Sequence, residues 1–163
     1  MLFLQTLIGK TALHLYVNKS VMILSNNYND KKVKKQINDL LGNSYSFMDR
    51  LKLRGIGSKR LKVKSYSPGL NTMFGRGQGI KYTIIELRPK GIIIYIKNSL
   101  NEYVWLIPFH KLTLYKSTEY SIHGDGESMH FDLTDIFPSN QKFIDKLNKK
   151  RNSYLQQFEL PPQ

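Results

Sequence analysis

The chain has 163 residues, and its 25 lysine and arginine residues against 12 aspartate and glutamate residues give a net charge of +13. A compact chain of this length buries roughly 70% of its extended surface, which is enough for one hydrophobic core. Cysteine is absent, which excludes disulfides, thiolate metal ligands and cysteine nucleophiles and favours a reducing compartment, the cytoplasm. No apolar stretch approaches about 18 residues, so the sequence predicts no transmembrane segment.

Most of the positive charge lies in one segment. Residues 31–90 carry a net charge of +12, whereas the rest of the chain carries +1, and no acidic residue occurs between Asp49 and Glu86. Charge confined to one segment tends to form one surface, which favours a polyanionic partner. The high content of lysine, asparagine, isoleucine and tyrosine also fits a compositionally biased genome, which explains the number of cations without any function.

The first predicted elements are a β-hairpin and a helix. The β-favouring runs 12–17 and 21–24 predict two paired strands. The helix is predicted from apolar residues at helical spacing, which are Val33, Ile37, Leu40 and Leu41, and Gly42 is placed to end it. Its first turn carries four cations, Lys31, Lys32, Lys34 and Lys35. Because cations in a first turn oppose the helix dipole, we expect this end to be solvated or to face negative charge.

Residues 50–64 are interpreted as a second hairpin, with a loop at 55–59. Basic and apolar residues alternate on both sides of that loop, and the alternation specifies the register. Three opposed pairs of cations would then share one face, Arg50 with Lys64, Lys52 with Lys62, and Arg54 with Arg60. Directly opposed like charges destabilise a strand pair by a few tenths to ~1 kcal/mol each, and a bound polyanion would offset this.

These elements define a predicted anion-binding surface. Its cations are Lys31, Lys32, Lys34, Lys35, Arg50, Lys52, Arg54, Lys59, Arg60, Lys62, Lys64, Arg76 and Lys81. Nearby aromatic side chains are candidates to stack on unpaired bases, namely Tyr66, Phe74 and Tyr82, with Tyr45 and Phe47. The glycine-rich loop at 74–79 matches neither a Walker loop nor a dinucleotide fingerprint, and we interpret it as a flexible connector.

Residues 80–163 predict an antiparallel meander followed by a helix. Six β-favouring runs are joined by short turns, at 82–87, 91–97, 103–107, 110–115, 120–123 and 129–133. Pro138 is expected to open an amphipathic helix, and Trp105 lies in an apolar run that predicts burial in the core.

The predicted fold class is α+β. We expect a mainly antiparallel sheet or partly open barrel with a C-terminal amphipathic helix, preceded by a basic ββαββ-like N-terminal half. The predicted division is 1–79 and 80–163, either as two parts or as one compact unit.

Residues 123–132 gather histidines and carboxylates around a Gly-Asp-Gly turn. We interpret this stretch as a polar hairpin tip, with an acid-base or metal site as the alternative. The sequence assigns no catalytic residue, metal ligand or cofactor.

Several segments resemble those of a family of small bacterial proteins of unknown function. They are residues 8–27, 67–75, 85–98, 107–117, 121–131 and 140–147. Separately, the strands and helix of residues 81–158 are similar in pattern, without a motif, to a pleckstrin-homology-like barrel, and a fold by itself does not give function.

Two functions remain open from the sequence. The first is non-catalytic binding of nucleic acid by the basic face, with RNA or a ribonucleoprotein preferred over duplex DNA because no groove-reading helix motif is present. The alternative is a pleckstrin-homology-like adaptor that docks on an acidic protein or an anionic membrane surface. A solvated basic face without a partner explains the same charges.

Overall fold

The computed structural model describes residues 16–18, 21–25, 31–75, 77, 79–98 and 101–158, with the backbone alone for 16–18 and 21–25. The strands are β1 (Tyr16–Asn18), β2 (Val21–Ser25), β3 (Leu61–Val63), β4 (Ser65–Tyr66), β5 (Lys81–Arg88), β6 (Gly91–Asn98), β7 (Asn101–Pro108), β8 (Thr113–Lys116), β9 (Tyr120–Gly124) and β10 (Glu127–Phe131). The helices are α1 (Lys31–Leu41), α2 (Phe47–Lys52), α3 (Asn71–Phe74) and α4 (Leu133–Gln156), with short 3₁₀ turns at Pro68–Leu70 and Phe109–Lys111.

The strands form two antiparallel sheets, and the α+β class is confirmed. The six-stranded sheet has the order β1-β2-β7-β6-β5-β3, and the four-stranded sheet has the order β4-β10-β9-β8. Among the described residues no strand pair joins the two sheets, so the antiparallel-sheet alternative holds and a barrel does not form. Strand pairs β2–β7, β3–β5 and β4–β10 connect residues before position 79 with residues after it.

The main core lies between one face of the six-stranded sheet, the four-stranded sheet and α4. It includes Ile85, Ile94 and Trp105 from the larger sheet, Met129 from β10 and Phe143 from α4. Burial of Trp105 confirms the prediction that it belongs to the core. Strand β6 is an almost continuous apolar run, which fits its position in the fold. One face of the strand contacts the main core and the other contacts α1.

Helix α1 covers part of the opposite face of the six-stranded sheet. As predicted, it runs at helical spacing from buried Val33 to Leu41, and Gly42 follows it with a φ of 81°. The helix packs on Ile93, Val104 and Leu106 of the two central strands, β6 and β7. It leaves the first half of β5 uncovered on this face, where Tyr82 and Ile84 are exposed.

Gly91 allows the C-terminal end of α1 to approach the sheet closely. A Cβ atom at this position would lie 2.3 Å from the carbonyl oxygen of Ile107 and 2.7 Å from Cδ2 of Leu41. Real Cβ atoms do not approach other atoms this closely, so a side chain at residue 91 would displace the Leu41 side chain and strain the pairing of β6 with β7.

The predicted hairpin over residues 50–64 is wrong. Residues Phe47–Lys52 form α2 because the hydroxyl of Ser46 accepts a hydrogen bond from the Asp49 amide at 3.2 Å and donates one to its carboxylate at 2.6 Å. Strand β3 pairs with β5, which places Lys62 opposite Tyr82. The six cations therefore do not share one face of a two-stranded ribbon.

The predicted start of the last helix at Pro138 is also wrong. Helix α4 begins five residues earlier, and the carbonyl of Asp132 accepts hydrogen bonds from the amides of Asp135 and Ile136. Pro138 lies inside the helix, which loses one backbone hydrogen bond there. No helix among the described residues has the length and apolar character needed to cross a membrane.

Candidate functional site

A groove of about 590 Å³ opens on the part of the six-stranded sheet that α1 leaves uncovered. Alternation along β5 directs Tyr82 and Ile84 to this face, and the register places Tyr95 of β6 beside Ile84. Arg60 and Lys97 complete its charged rim. We call this site the aromatic groove; its lining includes Arg60, Lys81, Tyr82, Ile84, Tyr95 and Lys97, together with the acidic Glu102.

Arg60 lies over the ring of the most accessible aromatic side chain of the aromatic groove. Its guanidinium carbon is 4.1 Å from the centre of the Tyr82 ring, which is the geometry of a cation-π contact. Tyr82 is 39% exposed, and Ile80 and Ile84 beside it are also exposed. The pair therefore places a planar cation over one face of a partly exposed ring.

The two lysines of the rim, Lys81 and Lys97, each have a partner within the protein. The Lys81 ammonium donates a hydrogen bond to the carbonyl of Phe74 at 3.0 Å, which holds it beside the groove. The exposed Lys97 ammonium lies 3.7 Å from the Glu102 carboxylate, a surface pair that contributes little to stability. Arg60, Lys81 and Tyr82 were all predicted as binding residues, and the fold brings them together; the sequence reasoning missed Lys97.

The other predicted stacking residues have different surroundings. Phe74 is buried and stacks on half-buried Tyr66, with ring centres 4.2 Å apart. Because its faces are occupied, Phe74 is not available to a base. Phe47 is instead one of the most exposed apolar residues, at 74%, and Tyr45 is half-buried beside it in the chain.

Two predicted cations are held in ion pairs within the protein. The Lys62 ammonium lies 3.6 Å from the Asp135 carboxylate. The Lys64 ammonium lies 2.9 Å from Asp132 and 3.4 Å from Glu119, and these hydrogen bonds raise the pKa of Lys64. Both lysines therefore already have acidic partners, which any bound polyanion would have to displace.

The remaining predicted cations separate into groups. Lys31, Lys34 and Arg50 line a second pocket of about 430 Å³, together with Arg88, which the sequence reasoning did not single out. The side chains of Lys32, Lys35, Lys52, Arg54 and Lys59 are exposed and line neither pocket. Arg76 lies outside the described residues.

The histidines of residues 123–132 converge on the outer face of the four-stranded sheet. The register pairs His123 with Ser128 and His130 with Ser121, and the two imidazole rings are 5.7 Å apart. His130 Nδ1 lies 2.6 Å from Glu119 Oε1, and its Nε2 lies 3.1 Å from the Ser128 hydroxyl. The interpretation as a hairpin tip therefore misses a cross-strand network of histidine and serine.

His130 contacts a serine hydroxyl with one ring nitrogen and a carboxylate with the other, as the histidine of a catalytic triad does. The neighbouring polar groups, however, are bonded to other parts of the fold. The amide of Ser128, the nearest donor for an oxyanion, binds the Ser67 hydroxyl at 2.9 Å. The turn carboxylate Asp125 pairs with Lys111. Among the described residues there is no group of three or more histidine, cysteine, aspartate or glutamate side chains able to hold a metal.

The histidine network makes stability depend on pH. Burial, and secondarily the neighbouring His130, lowers the pKa of His123 below its usual 6.5; Tyr115 and the Ser121 hydroxyl also contact the ring. Below pH 6.5 the unfolded chain takes up this proton before the folded one, so the free energy of unfolding falls as the pH is lowered from 7.

We expect His123→Gln to flatten this part of the pH dependence of the urea midpoint. The hydrogen bond with His130 lowers the pKa of Glu119 below 4.5, which adds a further loss at more acidic pH in both proteins. His110→Gln, at an exposed position, is the control. A pH dependence between 7 and 5 that is identical in wild type and His123→Gln would contradict this assignment.

Comparison with known proteins gives no match to a family model, a curated protein or a solved structure.

Proposed function

We propose that this protein binds single-stranded nucleic acid, RNA in preference to duplex DNA, through the aromatic groove. The observation that carries the proposal is the stacked pair of Arg60 and exposed Tyr82 on an uncovered sheet face. The proposal involves no catalytic step and no cofactor. A reducing compartment, the cytoplasm, suits a chain without cysteine.

The chemistry of the aromatic groove matches what an unpaired strand presents. Exposed aromatic rings and planar guanidinium groups stack on bases, and single-strand sites combine such platforms with cations that follow the phosphate backbone. Arg60, Lys81 and Lys97 lie around Tyr82 in this way. A duplex hides its base faces, so this arrangement favours an unpaired strand over a duplex.

A second candidate function is supported by α2. Phe47, Met48 and Leu51 are all exposed on this six-residue helix, and Arg50, Lys52 and Arg54 lie among and after them. Apolar side chains beside cations are typical of segments that rest on an anionic membrane surface. This candidate function is docking of the protein on an anionic membrane surface. It uses α2 and the cations beside it, which are not part of the aromatic groove.

The groove proposal is tested by fluorescence anisotropy with a labelled single-stranded RNA of about 12 nucleotides. We expect Tyr82→Ala to weaken binding about tenfold, because stacking on an aromatic side chain contributes about 1–3 kcal/mol per base. Three cations predict a log-log salt slope of about −2. Tyr115→Ala is the matched control, because Tyr115 is 56% exposed but belongs to the four-stranded sheet.

Equal weakening by the two tyrosine variants, or affinity that ignores salt, would contradict the groove proposal. The same proteins are then sedimented with vesicles that contain or lack anionic lipid. If wild type fails to bind RNA but pellets with anionic vesicles, and Phe47→Ser abolishes pelleting, the second candidate replaces the first.

A further inference from the structure

Four cations surround the pocket between α1, α2 and the end of β5. Lys31 and Lys34 come from the first turn of α1, Arg50 from α2 and Arg88 from β5. Residues three apart on a helix lie on the same side, which is why Lys31 and Lys34 share one wall of the pocket while Lys32 and Lys35 do not. We call this site the basic pocket.

One side of the basic pocket is an ion pair between buried Arg88 and partly buried Glu86. Arg88 is only 5% exposed, and its guanidinium lies 2.8 Å from Glu86, whose other carboxylate oxygen accepts a hydrogen bond from the Tyr95 hydroxyl at 2.8 Å. Arg88 also donates to the Ser44 hydroxyl. Because Ser44 accepts that bond, its own hydrogen is left to donate to a ligand.

The described residues do not balance the charge of the basic pocket. Among them Glu86 is the one carboxylate that lines it, and Arg88 neutralises that group. Within the described part of the chain, Lys31, Lys34 and Arg50 have no acidic partner. Three like charges around one pocket repel one another, and the first turn of a helix is itself an unfavourable place for cations. Folding alone gives no reason for this arrangement.

We infer that the basic pocket binds a phosphate monoester or inorganic phosphate. Such a group carries about −1.5 to −2 charge at pH 7 and has three strong acceptor oxygens, which matches three unpaired cations and the Ser44 hydroxyl. Arg50 is held in place because its Nε donates to the carbonyl of Tyr45 at 3.1 Å. Phosphate binding here does not rest on the aromatic groove.

The test is calorimetric titration of inorganic phosphate into the full chain at pH 7.5 and low salt. We expect saturable binding that Lys31→Gln with Lys34→Gln weakens about tenfold, since hydrogen bonds to charged groups contribute about 1.5–3 kcal/mol. The matched control, Lys32→Gln with Lys35→Gln, removes the same charge from the same helix and should leave the affinity within about twofold. All four positions are exposed, so both variants are expected to fold.

No saturable binding by wild type, or equal weakening by the two double variants, would overturn the inference. The source of the phosphate is decided by competition. A short oligonucleotide that displaces inorganic phosphate only when its 5′ end is phosphorylated identifies a nucleic-acid end as a ligand, and no displacement excludes that source in favour of free phosphate or a small phosphate monoester.

Tyr82→Ala should leave phosphate binding unchanged. This separates failure of the basic pocket from failure of the aromatic groove.

Discussion

Replacing Arg88 by methionine is expected to destabilise the protein by about 3 kcal/mol, because the change leaves the Glu86 carboxylate without its cation in a largely buried place. The Tyr95 hydroxyl would remain as a partner of that carboxylate, but one neutral donor does not compensate the lost charge. The measurement is urea unfolding at pH 7, read as the change in the free energy of unfolding.

The double variant Glu86→Gln with Arg88→Met is the control for this prediction. It removes both charges, so most of the lost stability should return. If the single and double variants were equally unstable, the ion pair would not be the cause. The double variant should also bind inorganic phosphate less tightly than wild type, because Arg88 and its bond to Ser44 form one side of the basic pocket.

Trp105→Ala is expected to cost about 3–5 kcal/mol, because it empties a fully buried site in the middle of β7. The indole nitrogen has no hydrogen-bond partner among the described residues. Trp105→Phe should therefore cost much less, since it keeps most of the packing and removes the unsatisfied donor.

Urea unfolding of the two Trp105 variants distinguishes a core residue from a residue that serves a partner. If Trp105→Ala changed the free energy of unfolding by less than about 1 kcal/mol, Trp105 would not be a core residue.

Local patterns were sufficient to predict most of the elements. Pro89 and Lys90 predict the turn between β5 and β6. Asp125 and Gly126 predict the turn between β9 and β10, and their φ angles of 51° and 84° suit a tight turn. Helix α1 follows from the spacing of its apolar residues because one side of it is buried.

The alternation of basic and apolar residues at 50–54 was not sufficient, because so short a run fits either a strand or a helix turn. The signal that favours a helix is Ser46 followed three residues later by Asp49, because the two side chains together cap the N-terminus of α2. The strand at β3 was predicted, but its partner was not. It pairs with β5, and this pairing buries Leu61 and Val63 in the main core. The choice of partner depends on contacts distant in sequence.

The candidate sites were predictable only in part for the same reason. Arg60 and Tyr82 are 22 positions apart, and their contact requires the pairing of β3 with β5. Arg88 meets Lys31 and Lys34 only because α1 packs across the sheet. A list of cations thus indicated a kind of ligand to test for, but the grouping of those cations depended on the fold.

Gly91 affects how α1, the helix that contributes Lys31 and Lys34 to the basic pocket, packs on the sheet. Because Gly91 has no side chain, Leu41 packs directly against the backbone of β6. This contact helps to hold the C-terminal end of α1, whose N-terminal end carries Lys31 and Lys34. A methyl group at residue 91 would clash with the backbone of β7 at Ile107 and with the Leu41 side chain, and so disturb this contact between α1 and the sheet. The placement of Lys31 and Lys34 over the sheet therefore depends in part on packing at the opposite end of their helix, where Leu41 meets a residue without a side chain.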